Sequence, residues 1–209
     1  MKYSSYSLDE GLEVYAGAAA NGGGSRVNEY TLIMDLYFES SPTNWYAIYQ
    51  TDINNRNEHP VADNGDADLY YCDGAINSTF YGWGLDAMGA YHNTDPHIPA
   101  GQWIRAAFAV NCTNQTIDKY INGEYIGTGF LDGTDGRWSI APADSGTASF
   151  LLFTQHYEQG DYVGTGYVNS IQIRDYAMTD PEIAELGGPS AAGIPIPADL
   201  TGSSNTENQ

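Results

Sequence analysis

The sequence predicts an all-β protein, an antiparallel sandwich of two sheets with one short C-terminal helix. Two observations lead to this class. First, the 209 residues include 24 Gly and 17 Tyr but only 16% charged residues, whereas helical proteins use Lys, Glu, Ala and Leu at many exposed positions. Second, short alternating segments recur between clusters of turn-forming residues. An all-β sandwich of this length usually folds as a single domain.

Alternation of apolar and polar side chains marks the first long strand, residues 31–38. Its apolar side chains share one face, whereas Asp35 and Tyr37 lie on the other. Strand-like pieces on either side of Asn122-Gly123 predict a tight hairpin, because both residues tolerate the positive φ that such a turn requires. The same patterns predict further strands at residues 12–16, 45–50, 67–72, 79–84, 149–154 and 167–174.

A second long strand, residues 104–112, is apolar on both faces. Ala107 and Ala109 make the face opposite the core small, which is typical of a central strand. Cys112 falls on the core side, and the only other cysteine, Cys72, ends another predicted strand. The two have no metal-ligand spacing, so they form either a disulfide or two buried thiols. We predict the disulfide.

One segment predicts the helix. Thr179 is a suitable N-cap, and Glu182 three residues later completes a capping box. Gly187-Gly188-Pro189 ends the helix, and Ser, Ala, Pro and Gly dominate after it. The predicted organisation is one domain over residues 1–189, followed by a tail or linker over residues 190–209.

Charge limits the expected partners. The formal net charge is −20, with only 7 Lys and Arg residues, so the surface repels nucleic acids and anionic membranes. No apolar run approaches the roughly 20 residues of a membrane-spanning helix, and the N-terminus lacks the apolar core of a signal peptide. We therefore expect no membrane insertion, and a mature or excised module. Its acidity fits solvation in saline surroundings or calcium binding.

Several segments, taken in their order and spacing, resemble a bacterial group of laminin-G-like jellyroll domains of the concanavalin A-like class. They are NGGG at 21–24, VNEYTLIMD at 27–35, GQWIR at 101–105, KYING at 119–123, DGRW at 135–138, YVNSI at 167–171 and EIAELGGP at 182–189. The resemblance implies a two-sheet jellyroll at the cell surface or outside the cell. This fold hosts lectins, adhesion modules, glycosidases and lyases, so the resemblance alone does not give the activity.

Four acidic residues offer the hard oxygen ligands that calcium prefers, and calcium is the cofactor that we predict. They lie around two predicted strand ends and are Asp52, Asp63, Asp66 and Asp68. Turns shaped by Asp and Asn side chains are the competing interpretation. Asp66-Ala67-Asp68 is also the nearest match to the paired carboxylates of glycoside hydrolases, but it lacks the third carboxylate of those enzymes.

Sugar binding requires exposed aromatic rings, because the C–H faces of sugars stack on them while Asp, Asn or Gln bind the hydroxyls. The aromatic residues predicted near loops are Tyr46, Tyr81, Trp83, Tyr91, Tyr157 and Tyr162. Trp45, Trp103 and Trp138 lie at strand starts, where we expect them to seal the ends of the sandwich. Core packing is the alternative for every ring.

Glycosylation sequons occur at Asn77, Asn111 and Asn114 and would be used only in a host that glycosylates secreted proteins. The four histidines form neither a Ser/His/Asp order nor a zinc spacing, although His156 and Tyr157 are an adjacent base and acid. We therefore expect a non-catalytic extracellular module that binds a glycan or an extracellular protein in adhesion. The alternatives are a structural subunit of an extracellular assembly, through self-association or within a larger multidomain chain, and a polysaccharide-degrading enzyme.

Calcium binding by the acidic residues predicts a stability that depends on the ion. Four carboxylates held close repel one another, and an ion that neutralises them removes that cost and orders the loop. Calcium at about 100 times its dissociation constant would add roughly 2.7 kcal/mol to the folded state. A chelator should therefore lower the melting temperature by several degrees, and Asp66→Asn combined with Asp68→Asn should abolish this difference. If chelation leaves the melting curve of the unmutated protein unchanged, the loop is only a solvated turn.

Overall fold

A computed structural model describes residues 1–3, 11–40, 46–51, 69–72, 75–78, 100–131, 133–153 and 165–197. For residues 70–72 and 75–78 it gives the backbone alone. The elements of this part of the chain are β1 (Lys2–Tyr3), β2 (Leu12–Val14), β3 (Glu29–Phe38), β4 (Tyr46–Thr51), β5 (Leu69–Cys72), β6 (Ala75–Ser78), β7 (Trp103–Asn111), β8 (Thr116–Ile121), β9 (Glu124–Phe130), a 3₁₀ turn (Ala143–Ser145), β10 (Phe150–Leu152), β11 (Gly166–Arg174) and α1 (Asp180–Leu186).

The strands form two sheets, and the predicted all-β sandwich is confirmed. One sheet has the order β1-β11-β3-β7-β8-β9 and the other β2-β10-β4-β5-β6. Every pairing within them is antiparallel. The strands β1 and β6 were not predicted, because segments of two and four residues are too short for a clear alternation. The strand predicted at residues 79–84 lies outside the described residues.

The core lies between the sheets. The inward side chains of β3 and β7 are buried almost completely, as their alternation predicts, and they pack against Phe150 and Leu152 of the opposite sheet. Trp138 is also fully buried, beside Tyr49, and its carbonyl accepts a hydrogen bond from the Tyr30 hydroxyl. Trp138 therefore has a structural role, as expected, but it packs in the core and does not lie at the start of a strand.

The hairpin between β8 and β9 turns at Asn122-Gly123, as predicted. Both residues have positive φ, 54° and 84°, which matches the twist of the two strands it joins. The Asn122 side chain also accepts a hydrogen bond from the backbone amide of Arg105 at 2.9 Å. The turn is thereby fixed to the neighbouring strand β7.

Helix α1 starts at the predicted capping box. The Glu182 carboxylate accepts hydrogen bonds from the backbone amide and the hydroxyl of Thr179, both at 2.7 Å, and these bonds lower the pKa of Glu182. The Tyr120 hydroxyl donates to Asp180 in the first turn at 2.6 Å. Burial and this acidic partner raise the pKa of Tyr120 well above its usual range, so it remains a donor.

Helix α1 covers part of the outer face of the six-stranded sheet. Ala107 and Ala109, the small residues on this face of β7, leave space in which Ile183 and Leu186 pack against Ile33. A larger side chain at either alanine would hold the helix away from the sheet. The apolar second face of β7 thus has a partner, as expected for a central strand.

A buried ion pair lies beneath the end of the helix. The Arg105 guanidinium donates to both carboxylate oxygens of Asp35, at 2.7 and 2.9 Å, and both side chains are at most 2% exposed. Its other bonds go to the carbonyl of Leu186 and, at 3.0 Å, to that of Gly193. Ser170 donates to the same carboxylate at 3.1 Å. One residue pair thus ties together the sheet, the helix end and the segment after it.

Residues 188–197, which we call the covering segment, lie along the outer face of the sheet. Ile194 is buried there, and its amide donates to the Ser170 hydroxyl at 3.1 Å. Gln172 binds the carbonyl of Ile194. The first residues after the predicted boundary at 189 are therefore packed against the domain. The boundary itself stays a prediction, since residues 198–209 lie outside the described residues.

Breaking the buried ion pair should destabilise the fold strongly. Arg105→Met leaves the Asp35 carboxylate buried without a counter-charge, which costs roughly 3–5 kcal/mol. Urea unfolding should show this loss, and Asp35→Leu combined with Arg105→Met should cost less than Arg105→Met alone. As a control, Glu39→Gln removes an exposed ion pair and should change the midpoint little. Equal stability of Arg105→Met and the unmutated protein would contradict the role given to this pair.

Candidate functional site

Three aromatic side chains form a row across the outer face of the six-stranded sheet. Tyr167 of β11, Tyr37 of β3 and Trp103 of β7 are direct cross-strand partners. The Tyr37 ring lies 5.6 Å from the Trp103 ring and 5.7 Å from the Tyr167 ring, between ring centres. We call these three residues the aromatic row.

The aromatic row is accessible because the covering segment crosses the sheet beside it. The next outward side chains along the strands, Asp35 and Arg105, are buried beneath the covering segment. Trp103, two residues before Arg105, is 40% exposed, and Tyr37 and Tyr167 are half-buried. The row therefore marks the point where the cover ends.

One carboxylate, Glu39, stands beside the row. It forms an exposed ion pair with Lys2 at 3.3 Å and accepts a hydrogen bond from the Thr165 hydroxyl at 3.2 Å. Hydrogen bonds from Lys2 and Tyr167 lower the pKa of Glu39 from its usual 4.5. The Lys2 ammonium also lies 5.3 Å from the centre of the Tyr167 ring, within the range of a cation–π contact. Glu39 is thus held as an ionised acceptor.

Two open grooves meet at Trp103. The outer groove, about 510 Å³, is lined by Tyr37, Glu39, Trp103 and Tyr167. The inner groove, about 400 Å³, lies between Trp103, Asn169 and residues 189–191 of the covering segment. Ring faces with hydroxyl and carboxylate groups beside them suit a ligand that has apolar C–H surfaces and many hydroxyl groups.

A second polar cluster has a structural role. The Asp135 carboxylate accepts hydrogen bonds from the amides of Ser25 and Arg26 and from the Asn28 side chain, at 2.8–3.1 Å. Burial by itself would raise the pKa of Asp135, but these bonds together lower it. A Cβ at Gly24, where φ is +82°, would lie 2.6 Å from this carboxylate, so glycine is required. Residues 25–28, which follow the NGGG segment, are thus hydrogen-bonded to the DGRW segment.

Five of the six loop aromatics predicted to bind sugar lie outside the described residues. Tyr46 is half-buried and packs against the main core. The others lie outside the described residues, and they are Tyr81, Trp83, Tyr91, Tyr157 and Tyr162. Trp45 and His156 also lie outside them. A sugar site formed by this set stays a prediction.

The predicted calcium ligands Asp52, Asp63, Asp66 and Asp68 also lie outside the described residues. Among the residues that are described, no group of three or more His, Cys, Asp or Glu side chains is arranged to hold a metal ion. Calcium binding by the acidic loop therefore stays a prediction.

The two cysteines lie in different parts of the fold: Cys112 directly follows β7 of the six-stranded sheet, and Cys72 belongs to the five-stranded sheet. Cys112 is buried in the main core, as its position in the alternation predicts. Cys72 is the last residue of β5, and its side chain is outside the described residues, so the disulfide stays a prediction. Of the sequons, Asn77 lies in β6 and Asn114 is exposed. Asn111 is half-buried, and its side chain accepts a hydrogen bond from the Asn114 amide at 2.8 Å.

The aromatic row was not identified from the sequence. Trp103 was expected to seal an end of the sandwich, and this is wrong, because it faces outward beside the inward Ile104. The available signal was alternation, which already placed Tyr37 on the face opposite the core. Applied in the same way to Trp103 before Ile104 and to Tyr167 before Val168, it puts all three rings on outward faces.

Comparison with known proteins agrees with this architecture. A search of curated proteins finds no match. Within the described residues, no helix is long and apolar enough to cross a membrane. Among solved structures, Trypanosoma rangeli sialidase in complex with sialic acid has a TM-score of 0.52 at 12% identity, over 81% of this chain and 25% of that chain. This chain thus spans about a quarter of the sialidase.

Two further solved structures are similar at lower TM-scores. A heptameric SAP-like pentraxin from Limulus polyphemus has a TM-score of 0.49 at 16% identity, over 75% of this chain and 68% of that one. Domain 4 of AbnA, a GH43 extracellular arabinanase from Geobacillus stearothermophilus in complex with arabinotriose, has a TM-score of 0.42 at 19% identity, over 79% and 69%. The profile of the family described as the concanavalin A-like lectin/glucanases superfamily matches residues 13–184. The chain therefore belongs to this laminin-G-like family of the concanavalin A-like lectin/glucanase superfamily.

Proposed function

We propose that this protein is a non-catalytic, extracellular carbohydrate-binding or adhesion module, and that it binds glycan at the aromatic row. The observation that carries the proposal is the exposed ring of Trp103 beside Tyr37, Tyr167 and the carboxylate of Glu39. Membership of a superfamily that includes lectins supports the same function.

The chemistry of the row fits sugar recognition. Aromatic faces remove the C–H surface of a sugar ring from water, and a carboxylate accepts hydrogen bonds from its hydroxyls. Because the three rings stand on adjacent strands of one sheet, their spacing is fixed before the ligand arrives. Little conformational entropy is then lost on binding.

Binding is favoured over hydrolysis by the number of carboxylates at the site. Glycoside hydrolysis generally uses two carboxyl groups, about 5–9.5 Å apart, on either side of the scissile bond. Among the described residues that line the two grooves, Glu39 alone carries a carboxylate. Its hydrogen bonds also lower its pKa, the opposite of what a general acid requires.

The extracellular location is part of the same proposal. A net charge of −20 keeps a module soluble in saline surroundings and discourages association with nucleic acids inside a cell. An adhesion role would use the glycan site to hold a surface that displays many copies of the ligand, since linked weak contacts gain strength through avidity.

Trp103→Ala should weaken glycan binding without unfolding the protein. An array of neutral and acidic glycans, screened with and without calcium, identifies the ligand, and titration then measures its affinity. Loss of one stacked ring should cost roughly tenfold, or about 1.4 kcal/mol. Tyr125→Ala is the matched control, because Tyr125 is 53% exposed on the edge strand β9, away from the row. An array without hits, or equal weakening by both variants, would contradict the proposal.

Binding should depend on pH through Glu39. Its lowered pKa keeps the carboxylate ionised at and above its usual value of 4.5, so affinity should fall only when the pH drops below 4.5. Lys2→Met removes the largest cause of the lowered pKa and should move this midpoint upward towards 4.5. Glu39→Gln should bind more weakly and show no such midpoint. Titration at a series of pH values measures both, and an identical midpoint in the Lys2→Met variant would refute the role of this pair.

A further inference from the structure

The wall of the inner groove is fixed to the sheet. A β-bulge in β11 between Val168 and Ser170 leaves Asn169 outside the regular pairing, and bulges commonly redirect a side chain in this way. Asn169 is exposed and donates to the carbonyl of Ser190 at 3.0 Å. The Ser190 hydroxyl in turn donates to the carbonyl of Gly193 at 3.1 Å. These hydrogen bonds fix the covering segment in place as the wall of the inner groove beside Trp103.

The shape of the two grooves indicates whether the ligand is a single sugar unit or an oligosaccharide. Both grooves are open to solvent, whereas a pocket that selects the end of a glycan must enclose it. Trp103 lines both, so one ring separates two adjoining spaces of about 400 and 510 Å³. A ligand seated on Trp103 can extend into each of them.

Charge restricts the ligand further. The outer groove contains the ionised Glu39, and the whole protein carries a net charge of −20. The net negative charge of the protein would therefore repel sialic and uronic acids. Lys2, the cation beside the row, is already paired with Glu39.

We propose that the site binds the interior of a neutral oligosaccharide chain, with consecutive sugar units lying across Trp103 from the outer into the inner groove. This inference rests on the proposed glycan binding and adds to it the ligand class and the way in which the ligand is held. Pro189 and Ala191 give the inner groove apolar surface, and Asn169 and Ser190 give it polar groups.

Calorimetric titration with neutral oligosaccharides of one to six units tests the proposal. The glucan, xylan, mannan and arabinan series serve as probes, and sialyllactose and oligogalacturonates serve as acidic ligands. Affinity should rise roughly tenfold or more between one unit and the length that fills both grooves, and then level off. The acidic ligands should bind more weakly than neutral ones of equal length.

A matched pair of variants locates the effect in the inner groove. Ala191→Leu fills part of this groove and should remove most of the gain in affinity with length, whereas Ala192→Leu, an equal change at the next exposed position, should retain it. Melting curves confirm that both variants fold. Glycan binding that does not increase with length, or that survives Ala191→Leu in full, overturns the inference and leaves glycan binding standing. A preference for acidic ligands overturns the neutral class. Absence of binding by every probe overturns the proposed function and the inference together.

Discussion

The buried pair of Asp35 and Arg105 is the constraint on which the outer half of the molecule depends. A guanidinium and a carboxylate taken out of water must satisfy each other and find partners for their remaining donors and acceptors. Here the further donors of Arg105 reach the carbonyls of Leu186 and Gly193. The end of helix α1 and the covering segment therefore have to pass over this pair. Their path decides which part of the sheet is covered and which part remains open.

The candidate site is a consequence of that path. Along β7 the outward side chains are Trp103, Arg105, Ala107 and Ala109 in turn, and the helix packs where they are smallest. The covering segment lies over Arg105 but not over the Trp103 ring two residues earlier. Trp103 is therefore exposed beside Tyr37 of β3 and Tyr167 of β11. A binding surface on the central strands of a sheet is more rigid than one on loops, since every ring is positioned by the sheet register.

Other residues hold the sandwich without contributing to this surface. Asp135 accepts hydrogen bonds from residues 25–28 and leaves no space for a side chain at Gly24. These contacts explain why two of the segments that resemble laminin-G-like domains are rich in glycine and polar residues. They serve a backbone turn and a hydrogen-bonded carboxylate, so their presence reports on the fold and not on a ligand. The aromatic row differs, because its rings are half-buried or exposed and leave their faces accessible.

Local pattern in the sequence determined most of the fold. A period of two placed the core-facing side chains of β3 and β7, the capping box gave the start of α1, and Asn122-Gly123 gave the hairpin, since each depends on neighbours within a few residues. The tertiary structure alone decided the site. Trp103 and Arg105 lie on the same face of one strand, and alternation cannot distinguish them. One is exposed and the other buried because a segment some 85 residues further along the chain, held by Arg105 itself, covers only the second.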